Sequence, residues 1–385
     1  MRTYRYISAD SHWSVAPEVW ADRVPKHLHD RLPRRVTLPN GGDGIVHEDG
    51  RMTFGGTSHF AGYGPERFDP RVERFGKEVG YGDGQQRLAE QDRDGVDAEV
   101  LFDFIPRYKG DDLVQAIVHA KNAWLAEDFC SVDRDRLLGV GALPNRGVDA
   151  DIAELEHCAK LGLRAVMMTG YPSGERYPTP EDDRFWAAAL DMDMPVTIHT
   201  QMALRRGERG DFMIKYPIEP EGYDRPPIDI IDRMSRYGTT HCGTLELTQM
   251  IMTGLFDRFP NLKIYWAENE IGWVPIYLEQ MDLIHEANRH WIQRILGVQP
   301  LAQRPSDYVR QHAYWGFFDD PVGMRLRHDV GVDNVMWGTD FPHEVSRWPN
   351  SLEVMDEQMT AAGVTEAERR KMMCENAIGF FHLDR

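Results

Sequence analysis

The chain has 385 residues, of which 42% are hydrophobic and 28% charged, an ordinary globular composition with ample material for a large core. Its 44 Lys and Arg against 62 Asp and Glu leave a net charge of -18, which argues against a nucleic-acid partner, because phosphate contacts need clustered cations. No apolar run approaches the ~20 residues of a membrane span.

The first ten residues carry two arginines, no long apolar stretch and no small-residue cleavage site, so no signal peptide is expected. Cys130, Cys158, Cys242 and Cys374 lie far apart without C-x-x-C spacing. Free thiols in a reducing cytoplasm are the expectation, with neither a disulfide framework nor a zinc–thiolate site.

Eight short, mostly apolar or β-branched runs recur along the chain: 6–10, 98–104, 137–143, 163–168, 194–199, 262–268, 312–317 and 334–340. Near-continuous hydrophobicity suits parallel strands buried on both faces. Most gaps hold a helix. Residues 112–129 place Val114, Ile117, Val118, Ala120, Trp124 and Leu125 along one helical face. Residues 149–161 repeat the pattern and are followed by Gly162, a C-cap, and 182–191 and 245–256 read the same way. Strand and helix alternating eight times predicts a (β/α)8 TIM barrel forming a single domain over 1–385. An open doubly wound sheet would want a Gly-rich turn after the first strand, where Ser11-His12-Trp13 stands instead.

Two gaps are too long for a simple crossover: 13–97, rich in Pro, Gly and aromatics, and 200–261. Both follow a strand on the barrel face where active sites lie, so they read as lids or walls covering the barrel mouth.

Four strands end in titratable side chains: Asp10-Ser11-His12, His199, Glu268 and Asp340. Asp10 and His12 are two apart, which in an extended strand turns both to one side. With His199 and Asp340 they make a mixed N/O donor set suited to one divalent cation. A lone Asp at a strand end is commonly a helix cap and a lone His a hydrogen-bonded core residue, but four at the strand ends of one barrel favour ligation.

At these residues the chain resembles the amidohydrolase-related family that includes aminocarboxymuconate-semialdehyde and γ-resorcylate decarboxylases. The resemblance rests on SADSHWSVAPEVW (8–20), GVDAEVLFDFIPR (95–107), DRLLGVGALP (135–144), PVTIHT (195–200), GLFDRFPNLKIYWAENEIGWVP (254–275), VMWGTDFPHE (335–344) and ENAIGFF (375–381), and spans nearly the whole chain. It implies one divalent metal, zinc with manganese as the alternative, on Asp10, His12, His199 and Asp340. The related decarboxylases carry a catalytic His at the sixth strand, where this chain has Glu268. That residue is either the proton-transfer group or an acceptor that orients a ligating histidine.

The reaction implied is decarboxylation of a hydroxylated aromatic or unsaturated acid. The alternatives are hydrolysis of an ester, lactone, amide or C–C bond, with Asp340 or Glu268 taking a proton from activated water, and a non-catalytic binding barrel. His343 is expected to support the metal loop. His241 opens a helix of the second long gap and is a further candidate, more simply read as solvated or capping. Arg107 and Lys109, like Arg205 and Arg206, are candidate clamps for a substrate carboxylate or else surface charges. Asn122 and Trp124 read as packing residues. The partners expected are a small carboxylated, cyclic or aromatic substrate and a second copy of the chain. The homodimer expectation rests on the resemblance and on apolar residues in the long gaps and at 273–277.

Overall fold

The computed structural model describes residues 2–39, 41–54, 61–62, 74–76, 78–103, 110–175, 177–202, 243–296 and 299–384. Eight strands form one parallel sheet in barrel order: β1 (Ile7–His12), then, after the small strands named below, β5 (Ala98–Phe102), β6 (Leu137–Ala142), β7 (Ala165–Met168), β8 (Val196–His199), β9 (Ile264–Ala267), β10 (Ala313–Phe317) and β11 (Val335–Trp337). All eight expected runs are strands; seven are trimmed at one or both ends, while β1 begins one residue later than expected and runs two residues further, to His12. The barrel closes where the segment after β11 meets β1: the Asp340 amide donates to the Asp10 carbonyl at 2.9 Å, and the His12 amide to the Phe341 carbonyl at 2.6 Å.

The strands are apolar on both faces because each face has its own core. Ile7, Ala9, Val100, Phe102, Leu138, Val140, Met167 and Tyr265 fill the barrel interior, which Phe380, Phe381 and Leu383 plug from the C-terminus. Leu101, Val166, Ile198, Trp266, Trp315 and Trp337 point outward against the helices.

Helix α1 (Glu18–Ala21) is short, and the 13–97 segment then builds a three-stranded antiparallel sheet, β2 (Arg34–Thr37), β3 (Asp43–Val46) and β4 (Met52–Phe54), followed by helix α2 (Gly84–Asp94). The crossovers include α3 (Asp111–Trp124), α4 (Val148–Leu161), α5 (Asp183–Asp191), α6 (Thr244–Met252), α7 (Leu255–Arg258), α8 (Val274–Leu296), α9 (Pro305–His312) and α10 (Pro321–Val330).

Gly162 caps α4 in the left-handed conformation, as expected, with φ 77°. The helix expected over 112–129 is α-helical only to Trp124 and finishes in a π-helical turn, Leu125–Phe129. The helix expected over 245–256 is two pieces, α6 and α7, because Gly254 sits between them at φ 69° and ends the regular hydrogen bonding. The 273–277 segment is also less exposed than expected. Trp273 lies edge-on to Trp315 at 5.2 Å and the Tyr277 hydroxyl donates to the Thr244 carbonyl at 3.0 Å, which leaves Ile276, 62% exposed, as the apolar residue facing outward.

Cys130, Cys158 and Cys374 are buried free thiols, as expected. Cys242 lies outside the described residues. No helix among the described residues is long and apolar enough to cross a membrane.

Candidate metal centre

The mouth of the barrel is set by the ends of β1, β8, β9 and β11. On β1, Ile7 and Ala9 face inward, so strict alternation would turn Asp10 and His12 outward. The pairing with β5 shifts register between Ser8 and Ser11, and this bulge aims Asp10 and His12 into the mouth. Thr200, Glu268 and Asp340, at the ends of β8, β9 and β11, all take positive φ of 52–56° without being glycine. Such conformations cost energy and concentrate at functional sites, here where the strand ends must re-aim their side chains. A Cβ at Gly338 would lie 2.7 Å from the Asp10 Cβ, so only glycine lets β11 come this close to β1.

Five side chains converge. His12 Nε2 lies 3.1 Å from His199 Nε2, 3.1 Å from Asp340 Oδ1 and 3.6 Å from Asp10 Oδ1. His199 Nε2 lies 3.4 Å from Asp10 Oδ1 and 3.5 Å from Glu268 Oε2. Asp10, His12, His199 and Glu268 form one group whose potential ligand atoms all lie within 4.8 Å of one another; His12, Glu268, Asp340 and His343 form another. The four expected ligands and Glu268 are thus brought together.

Bonds of roughly 2.0–2.2 Å around one ion would place neighbouring donor atoms about 3–3.5 Å apart, as found here. Both oxygens of the buried Asp10 lack a hydrogen-bond partner, a costly arrangement unless another positive group takes them up. Three carboxylates around two imidazoles leave an excess of negative charge, for which a divalent cation is the physical complement. The residues present fit one such ion.

Burial, with His343 and His199 nearby, holds His12 well below the usual histidine range, in its neutral form. Burial also opposes charge on His199, but the Asp10 carboxylate outweighs it and raises that ring to about 9. Burial and the Asp340 charge raise Glu268 to about 7. His343 lies against two of these groups: its Nδ1 is 2.8 Å from Asp340 Oδ1, and its ring stacks on His12 at a centroid distance of 4.0 Å.

The candidates His241, Arg107, Lys109, Arg205 and Arg206 lie outside the described residues. A set of residues around the site was not evident in the sequence. Arg87, on α2, donates to the His12 carbonyl, lies 4.6 Å from the Phe341 ring centre and 3.5 Å from Glu99 Oε2. Glu99, buried on β5, accepts from Gln91 Nε2 at 2.9 Å and from Ser11 Oγ at 3.2 Å. Ser8, Ser11 and Thr339 complete the network with hydroxyl contacts of 3.0–3.1 Å. The signal was present but inverted: Gly84, Arg87, Glu90, Gln91 and Asp94 recur at helical spacing, and in α2 this polar stripe is the buried one.

A family model described as amidohydrolase matches residues 70–383. The chain belongs to the amidohydrolase family. This amidohydrolase is 26% identical, over 70% of its length and 77% of the relative's, to a gamma-resorcylate decarboxylase from Rhodococcus jostii. An amidohydrolase structure from Mycobacterium avium subsp. paratuberculosis aligns over 99% of this chain and all of that one, with a TM-score of 0.67 at 19% identity. A 5-carboxyvanillate decarboxylase from Novosphingobium aromaticivorans, solved with manganese and 4-hydroxy-3-methoxy-5-nitrobenzoic acid, aligns over 98% of this chain and 96% of its own, with a TM-score of 0.63 at 19% identity. The TIM-barrel fold and the family are as the sequence implied.

Proposed function

We propose that this amidohydrolase is a divalent-metal-dependent carboxy-lyase acting on a hydroxylated aromatic acid. The observation that carries the reading is the placement of Glu268, a largely buried carboxyl group, 3.5 Å from His199 within the candidate metal centre. The decarboxylase relatives support it. Asp10, His12, His199 and Asp340 are the ligand set, with zinc as the resident metal and manganese as the alternative. When bound, the cation supplies Lewis-acid chemistry, holding and polarising a substrate carboxylate and its neighbouring hydroxyl oxygen.

The chain's own groups do the rest. Glu268, whose carboxyl is raised toward neutrality by burial and the Asp340 charge, is the group placed to give a proton to the ring carbon. As the bond from that carbon to the carboxyl group breaks, CO2 leaves and the electron pair becomes the new C–H bond. His343 fixes the Asp340 carboxylate through its Nδ1 and the His12 ring by stacking on it. The 13–97 segment walls the mouth: Gly80 packs so closely on Pro342 that a Cβ there would lie 2.3 Å from its ring, and the Ala61 amide donates to the Pro342 carbonyl at 3.1 Å.

The enzyme works as a homodimer, its contact built on Ile276, Leu283 and Ile284 of α8, which are 62%, 57% and 62% exposed and follow helical spacing. Light scattering at micromolar concentration is expected to give twice the chain mass; the mass of a single chain would refute the dimer.

The decisive assay offers hydroxybenzoates in one arm and esters and lactones in the other, before and after chelation, with elemental analysis of the purified protein. CO2 release that chelation abolishes is the expected outcome. Ester or lactone turnover without CO2 would overturn the lyase reading in favour of hydrolysis.

A further inference from the structure

Outside the barrel, α3 and α4 bring together three groups that the chemistry above does not use: His119 on α3, and Glu154 and His157, one turn apart on α4. One potential ligand atom from each lies within 4.8 Å of the other two. His119 Nδ1 is 3.0 Å from Glu154 Oε2, and the two imidazoles stack at 3.7 Å with their planes 19° apart. Glu154 is held in place from behind: its Oε1 accepts from Asn122 Nδ2 at 2.8 Å. The same Asn122 clamps the end of β6, donating to the Ala142 carbonyl and accepting from the Ala142 amide, both at 2.9 Å.

A polar contact between two helices would explain the His119–Glu154 hydrogen bond. It does not explain His157, whose Nε2 is buried without a hydrogen-bond partner. A buried ring nitrogen left so is costly. Burial, with His119 nearby, also lowers the affinity of the His157 ring for a proton. A carboxylate braced by an amide, with two imidazoles against it, is instead a cation-binding arrangement.

We propose that His119, Glu154 and His157 form a second divalent-cation site that takes zinc, with water completing the coordination. His119, whose side chain is 55% exposed, has the freedom to close the remaining distance onto the ion. Zinc there ties α3 to α4 and so braces the Asn122 clamp at the C-terminal end of β6. The donor set of two imidazoles and one carboxylate suits zinc over calcium or magnesium, which prefer all-oxygen shells.

Zinc titration of the metal-stripped full-length protein against a chromophoric chelator tests the site. The wild type is expected to take up one equivalent more than His119→Ala, and Glu154→Gln, which keeps an oxygen for Asn122, is expected to lose that same equivalent. Cobalt substitution is expected to show the matching difference in visible absorption. Equal stoichiometry in wild type and both variants would overturn the proposal. The difference between proteins is the readout, so failure of the barrel metal centre would change the common equivalents and not this one. His119 is exposed, so its replacement leaves the helix packing intact and the comparison interpretable.

Discussion

His12 and His199 meet nitrogen to nitrogen, their Nε2 atoms 3.1 Å apart at the mouth of the barrel. Two ring nitrogens that close accommodate one proton or one cation between them, and the surrounding Asp10, Asp340 and Glu268 carboxylates favour the cation. The side chains come from different strands, so the barrel itself sets their spacing.

His199→Ala removes one of the four expected ligands from a pocket whose remaining donors hold a cation poorly. The purified variant is expected to lose most of its metal while keeping its fold, measured by elemental analysis beside circular dichroism. Full metal occupancy in this variant would remove His199 from the ligand set.

Glu268→Gln separates proton transfer from ligand support. As the proton donor, Glu268 is worth about 10²–10⁴ in kcat, and the variant is expected to show that loss with its metal retained. A residue that only orients His199 would instead weaken metal binding ~10–100-fold and leave turnover at saturating metal nearly intact. The measurement is kcat under saturating metal.

Arg87→Met leaves the buried Glu99 without its cation and the His12 carbonyl without its donor. Stripping one partner from a buried ion pair costs about 3–5 kcal/mol. Urea unfolding is expected to show a loss of that order, with Glu99→Gln in the same background restoring part of it. No restoration in the double variant would disprove the coupling.

Asp151 provides the pH test. Burial raises its carboxyl to about 7 from an ordinary value of 3.8. Between those values the unfolded chain has released the proton and the folded chain has kept it, so this group's contribution to stability falls as pH rises from about 4 to about 7. Asp151→Asn keeps an oxygen to accept from the Asn145 amide but cannot ionise. Relative to wild type, the variant is expected to be more favoured at pH 8 than at pH 5; the same stability difference at both would refute the shift.

Much was legible in the sequence alone. Eight apolar runs identified the barrel because strands buried on both faces cannot carry alternating polarity. Asp10, His199, Glu268 and Asp340 could be picked out because each ends such a run, and His12 because it stands two residues past Asp10; strand ends on one face of a barrel share a mouth. Local signals also placed the end of α4, since Gly162 needs no partner elsewhere in the chain to cap it.

Tertiary structure decided what depends on contacts across the chain. The bulge between Ser8 and Ser11 turns Asp10 inward, and it exists only in pairing with β5. Helix α2 buries a polar stripe against Glu99 and His12, which inverts the usual hydrophobic rule and was therefore hidden from it. Trp273 and Tyr277 lie against their own barrel for the same kind of reason: Trp315 and Thr244, which cover them, are remote in sequence. Residue periodicity reports which face of an element is apolar; only the assembled fold supplies the partner that makes a buried charge or a strained strand end tolerable.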